Sequence, residues 1–244
     1  MDAAGKFSPR AEPAPATASL TREQAEARLR ESLRVTPDGP DRFRIGQVTF
    51  DRRLRTVTIP AAVNMTSGVV EYALVTETGK LHEAVFSTKA RPDEIHLACL
   101  LLGMPALREP AAIDEGRAVP AANAVKVNVG WETNGPPADY PLAALVMASD
   151  SPTDPGAGRP LPDGPWLYNG SLTAAGGFAA TREGSVIALI PDGAALVNNT
   201  RAGCRNDEHH LANQALLPPK GSPVRITLTL PPAAPAAPAP PAAR

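Results

Sequence analysis

His96 and Cys99 lie three residues apart in the run EIHLACLLLG, a spacing that puts both on one face of a helix. Residues of these types could supply two metal ligands, or a thiolate beside an imidazolium. Two ligands do not hold a metal. A third and fourth would have to come from His82, Glu83, Cys204, His209 or His210, and a neutral histidine bonded to a backbone carbonyl explains His96 more simply. His82 and Glu83, in GKLHEAVFST, are the second chemically suggestive pair. Consecutive side chains of a regular strand point to opposite faces, so these two are not expected to serve one centre; His82 is expected on the apolar face with Ala84 and Phe86. From His82 the strand covers about 20 Å before the turn and the helix returns only about 6 Å, which keeps His82 from His96 if the helix lies antiparallel on the strand.

The stretch CRNDEHHL gathers Cys204, Asp207, Glu208, His209 and His210, but its spacing matches no standard zinc pattern and reads as a solvated polar loop. No glycine-rich phosphate loop, GxSxG elbow or HExxH helix occurs, so the more specific enzyme signatures are absent from the sequence. Asn64, Asn169 and Asn198 open N-glycosylation acceptor triplets, a pattern common by chance. Cys99 sits in an apolar run and Cys204 among polar residues, so a bridge between them is not expected. No cofactor is predicted, and a metal at His96 and Cys99 is the one exception that the residue types leave open.

These groups need elements to position them. Arg91-Pro92 suits a helix start, because proline tolerates the first helical position and Asp93 and Glu94 complement the positive end of the dipole. Gly103 and Pro105 end that helix at about 92–102. Its apolar residues Ile95, Leu97, Ala98, Leu100, Leu101 and Leu102 point in nearly every direction, which predicts a helix enclosed on all sides. Period two dominates elsewhere. AVKVNVGW places Val125, Val127, Val129 and Trp131 on one face, and PVRITLTL does the same with Val224, Ile226, Leu228 and Leu230. VIALIPDGAALV reads as a hairpin turning at Pro191-Asp192-Gly193. Further strands are expected near 43–50, 52–60, 68–76, 81–87, 141–148 and 166–172. The class is α+β, β-rich: a mostly antiparallel sheet folded into two layers, with one buried helix and a short N-terminal helix.

Residues 1–19 read as a linker, 20–35 as the short helix with a narrow stripe of Ala25, Leu29 and Leu33, 42–231 as a single globular domain, and 232–244 as a Pro/Ala-rich tail. The 149–165 stretch, rich in Pro and Gly, reads as a long loop. A core of that size folds without disulfides or metal. Lys and Arg number 24 against 25 Asp and Glu, a formal charge of −1, so no strong field recruits nucleic acid. Arg52, Arg53 and Arg55 cluster without interleaved aromatics and read as a solvated strand face. Neither a signal peptide nor a run of about 18 apolar residues is visible, so no transmembrane segment is expected.

KLHEAVFST, the following EIHLACLLLG, WLYNGS at Trp166 to Ser171 and the closing LPPKGSPVRITLTLP, in that order, resemble the YdjY-like domain family of bacteria from about Arg44 to Pro231. The resemblance implies no established activity and a periplasmic or extracellular setting, since such domains often look exported or lipid-anchored. By motif it carries over His82 and Glu83, His96, and Trp166, Gly170 and Ser171, without a catalytic role. The function expected is an envelope-associated binding or accessory domain with an unknown protein or small ligand as partner. The competing expectation is a metal- or thiol-dependent redox protein using His96 and Cys99, with His82 as a further contributor.

Overall fold

A computed structural model describes residues 33–105, 113, 115–149, 158–174 and 177–232. The alternating segments become strands that close on themselves. The chain forms β1 (Val35–Pro37), β2 (Arg42–Ile45), β3 (Val48–Asp51), β4 (Thr56–Val63), β5 (Tyr72–Thr76) and β6 (Ala84–Thr88), then the helix α1 (Pro92–Leu101). Next come β7 (Ala124–Trp131), β8 (Ala138–Pro141), β9 (Val146–Ala148), β10 (Arg159–Pro160), β11 (Trp166–Tyr168), β12 (Thr173–Ala174) and β13 (Gly177–Phe178). The short helix α2 (Ala179–Glu183), β14 (Ser185–Ala188), β15 (Val197–Asn198), β16 (His210–Ala212) and β17 (Pro223–Thr229) complete the order.

The expected two-layer sheet is replaced by a closed barrel of eight strands, bonded in the order β4-β17-β7-β11-β15-β14-β5-β6. Closure comes where β6 returns to β4 through Ala62↔Ser87 and Val63↔Phe86. The sheet is mixed, because β5–β6 and β14–β15 run parallel. That second pair overturns the hairpin expected at Pro191-Asp192-Gly193: β14 and β15 point the same way, and the chain must cross between them. A barrel of this size has an interior just wide enough for side chains to fill. Val57 and Ile59 of β4, Val125, Val127 and Val129 of β7, and Ile226 and Leu228 of β17 do so. Period two was therefore legible, but alternation states only that one face is buried, not whether the sheet closes.

The strands β5, β11 and β14 are buried at every position. A smaller cluster, separate from the main core, packs on β5 and β14: Tyr72, Val75, Ala84, Ala188 and Ala195 with Leu81 against it. β1, β2 and β3 extend the sheet beyond β4, and β8 adds to β7. The stretch expected as a solvated arginine strand face is a turn instead: Arg52 lies over the Phe43 ring, 4.8 Å from its centroid, and Arg55 donates to the Pro231 carbonyl. The N-terminal helix expected over 20–35 falls outside the described residues up to position 32, and Val35 opens a strand.

α1 forms where expected, with Pro92 in its first turn and a capping box between Arg91 and Glu94. It is not enclosed on all sides. Ile95, Ala98 and Cys99 are fully buried, whereas Leu101 is 50 % exposed. The helix contacts β3 and β4 on one side and reaches Tyr168 of β11 on the other, so it bridges distant walls of the barrel and leaves its outer side to solvent.

Candidate functional site

β11 contributes Tyr168 to the barrel wall with its ring fully buried. α1 presents His96 and Cys99 on one face, as their spacing requires, and both meet the Tyr168 hydroxyl. His96 Nδ1 lies 2.7 Å from it, and the fully buried Cys99 thiol stands close enough for the two groups to influence each other's ionisation. The His96 ring also packs 5.0 Å from the Phe178 ring. Burial holds the His96 pKa below its ordinary value, with Asp93 opposing weakly. Burial pushes the Cys99 thiol up to about 12 and the Tyr168 phenol up as well. At neutral pH all three are therefore uncharged. With His96 neutral, the Tyr168 O–H can donate to an unprotonated His96 Nδ1.

Two glycines make the closure sterically feasible. A Cβ on Gly170, at φ +76°, would stand 3.3 Å from His96 Cε1. A Cβ on Gly46, at φ +52°, would lie 2.2 Å from Glu94 Oε1. The Glu94 carboxylate is 4 % exposed and accepts from the backbone N–H groups of Gln47 and Arg91, which ties the start of α1 to the β2–β3 turn. Desolvation raises its pKa.

The residues after Tyr168 bind the site to the rest of the wall. Asn123 donates to the Tyr168 carbonyl, Asn169 donates to that of Ala195, and Asn198 donates to Asn169 Oδ1 at 2.7 Å. Ser171 holds φ 64°, unusual for a side-chain-bearing residue; its hydroxyl accepts from the Ala180 N–H and donates to the Ala194 carbonyl. Asn64 donates to the carbonyls of Leu81 and Ala84. The three glycosylation triplets thus begin at asparagines whose side-chain nitrogens are already engaged.

The family described as the YdjY domain matches residues 48–229. The chain belongs to the YdjY domain family. No curated protein and no solved structure matches it. Within this YdjY domain, the motif residues of the later strand thereby acquire places: Trp166 is buried under the Arg201 guanidinium at 4.6 Å, Gly170 admits His96, and Ser171 joins α2 to the loop before β15.

His82 and Glu83 go elsewhere. They lie on a 3₁₀ turn, Leu81–Glu83, rather than on a strand, and the His82 side chain is 80 % exposed instead of sharing the apolar face of Ala84 and Phe86. The turn also removes the alternation that was expected to part them, and His82 Nε2 stands 3.5 Å from Glu83 Oε2. Their neighbours are Lys80, 3.6 Å from Glu83 and 2.7 Å from the Tyr72 hydroxyl, and Asp192, which accepts from that hydroxyl at 3.1 Å. No interaction joins this group to the Tyr168 cluster among the described residues.

Among the described residues no group of three or more His, Cys, Asp or Glu side chains could hold a metal. Cys99 and Cys204 are free thiols, both buried. Burial of Cys204 departs from the exposed polar loop expected around it. His210 is also fully buried, in β16, with Nε2 3.3 Å from Asn199 Nδ2 and with Nδ1 unpartnered among the described residues.

Sequence reasoning missed Tyr168. The available signal was an amphipathic aromatic inside the apolar strand of WLYNGS: a buried tyrosine needs a partner for its hydroxyl, and a lone polar residue on a buried helix is the natural one.

Proposed function

We propose that this YdjY domain is a binding or accessory module of the bacterial cell envelope that does not turn over its ligand. The state of the Tyr168 cluster carries this reading. Cys99 is 0 % exposed with its thiol held at about 12, and His96 Nδ1 is committed to the Tyr168 hydroxyl. Reactive cysteines are thiolates in partly exposed, electropositive surroundings, and Cys99 has neither property. Its neutral network instead fixes α1 against the barrel wall, as buried and satisfied polar networks do. The concave surface lies elsewhere. An open groove of about 670 Å³ runs along the rim where β7 ends and β17 begins, floored by Trp131 and edged by prolines. The envelope setting is supported by the resemblance to domains that look exported or lipid-anchored.

The test uses a Cys204→Ser background and protein purified without a histidine tag. A small alkylating reagent should label Cys99 only after denaturation, and elemental analysis should find no stoichiometric metal. Labelling of the native protein at the rate of a free thiol, or a metal lost in His96→Ala, would overturn the proposal in favour of a redox protein using His96 and Cys99. Fractionation of cells expressing the full-length gene product tests the location.

A further inference from the structure

The dipeptide Asn-Gly occurs twice in the chain, at Asn134-Gly135 and at Asn169-Gly170. It is the pairing that loses its side-chain amide most readily. The backbone nitrogen of the second residue attacks the side-chain carbonyl carbon of the first, and glycine leaves that nitrogen unhindered and its backbone free to reach the geometry of attack. The reaction also needs an asparagine side chain that can turn and a glycine N–H that can give up its proton. The fold grants both to one pair and withholds them from the other.

Asn169 is 0 % exposed and held at both ends of its amide: the nitrogen donates to the Ala195 carbonyl at 2.9 Å and the oxygen accepts from Asn198 at 2.7 Å. The Gly170 N–H donates to the Leu196 carbonyl at 3.1 Å, and Gly170 sits at φ +76° with His96 against it. Attack there would break all three bonds inside the barrel wall, at about 1–3 kcal/mol for each buried group left unpaired.

Asn134 lies in the connection between β7 and β8, residues 132–137, where every residue is exposed. Its side-chain amide has no hydrogen-bond partner among the described residues. Space around Gly135 is open, since a Cβ there would approach only the Thr133 hydroxyl, at 3.8 Å. The Gly135 N–H donates to that hydroxyl at 2.9 Å, and the hydroxyl donates to the Pro136 carbonyl at 2.8 Å. Both bonds are exposed and close within the loop, so water replaces them at small cost.

We infer that Asn134 is a site of spontaneous modification, converting through a cyclic imide to aspartyl and isoaspartyl residues on the rim of the groove floored by Trp131. Hydroxide removes the Gly135 amide proton, the Gly135 nitrogen bonds to Asn134 Cγ, and the Cγ–Nδ2 bond breaks, the nitrogen leaving as ammonia with a proton from water. Water then opens the imide at one of its two carbonyls, giving aspartate by one route and an isoaspartyl link with an extra backbone carbon by the other. The sum is amide plus water to acid plus ammonia, with no change of oxidation state. Either product adds a negative charge near Glu132, whose carboxylate pairs with Arg225 at 3.1 Å. Asn134, Glu132 and Arg225 line the same groove, so the charge that a ligand meets there changes as the protein ages. The chemistry stands without the binding reading, and only its effect on a ligand rests on it.

The full chain is held in mildly alkaline buffer, where hydroxide promotes loss of the amide proton, and is digested at intervals for mass spectrometry of the peptides containing residues 134 and 169. In the folded protein Asn134 should become a mixture of aspartyl and isoaspartyl forms while Asn169 stays an amide, and in urea the two should convert at similar rates. Gly135→Ala, which restores a Cβ beside the attacking nitrogen, should slow conversion at residue 134 severalfold and leave Asn169 as it was. An Asn134 amide that survives in the folded protein as long as that of Asn169 would overturn the inference. So would conversion at residue 134 that Gly135→Ala leaves at full rate, because the imide route runs through that nitrogen. Equal conversion of both residues in the folded protein would overturn the protection assigned to the barrel wall. None of these results touches the alkylation and metal tests of the binding reading, so the two can fail separately.

Discussion

The Tyr168 hydroxyl is the hydrogen-bond partner of His96 Nδ1, so its removal strands that half-buried nitrogen beside a fully buried ring. Tyr168→Phe keeps the ring and should cost about 2 kcal/mol, within the range for buried groups left unsatisfied. Urea titration measures it, and a loss below about 0.5 kcal/mol would show that the bond contributes little to stability. His210 makes a different prediction. Desolvation, aided by His209 and Arg201, lowers its pKa from 6.5 to about 4. The unfolded chain therefore binds a proton below about pH 6.5 that the folded chain refuses until about pH 4, so stability falls through that window and levels off below it. The full loss from this one group is about 3 kcal/mol. In His210→Gln the stability difference between about pH 7 and about pH 5 should shrink by about 2 kcal/mol; an unchanged difference would remove His210 as its cause. At this scale the candidates were legible as residue types but not as partners. The spacing of His96 and Cys99 was enough to put them on one face, while the hydroxyl that bonds His96 lies 72 residues from it along the chain.

At the scale of elements, α1 depends on the tie between Glu94 and the β2–β3 turn. Gly46→Ala places a Cβ in the left-handed region, which costs about 1–2 kcal/mol, and also drives it into the Glu94 carboxylate. The substitution should therefore cost more than the backbone conformation alone, and combining it with Glu94→Ala should be less than additive. Strict additivity in a denaturation cycle would mean that the two residues do not meet in the folded protein. The helix itself was readable from Pro92 and its acidic first turn, because capping chemistry is local. The environment of its outer face was not, since apolar residues all round a helix permit burial without specifying what covers each side. The same limit explains His82. A short run of KLHEAVF fits a strand by alternation, but the chain turns through a 3₁₀ segment at Leu81–Glu83 before β6 begins, and no side-chain pattern announces that turn.

For the whole molecule, closure through β4 and β6 predicts a single cooperative unit. One hydrophobic cluster runs from Ile45 through α1 and the barrel to Leu230, so Trp131 and Trp166 should report the same urea midpoint by fluorescence as the backbone does by circular dichroism. Separate midpoints would divide the barrel into independent parts. Phe86→Ala empties a fully buried position in the closing strand and should cost about 3–5 kcal/mol in the same assay. The sequence by itself determined the β-rich class, the course of β7 and β17, the helix α1 and the family, because periodicity, capping and motif order are written in neighbouring residues. The tertiary structure alone decided that the sheet closes into a mixed barrel, that β14 and β15 run parallel, and that His96 and Cys99 converge on Tyr168 while His82 and Glu83 stay outside. Those outcomes depend on which strand returns to which, and pairing between distant segments leaves no mark on the periodicity of either one.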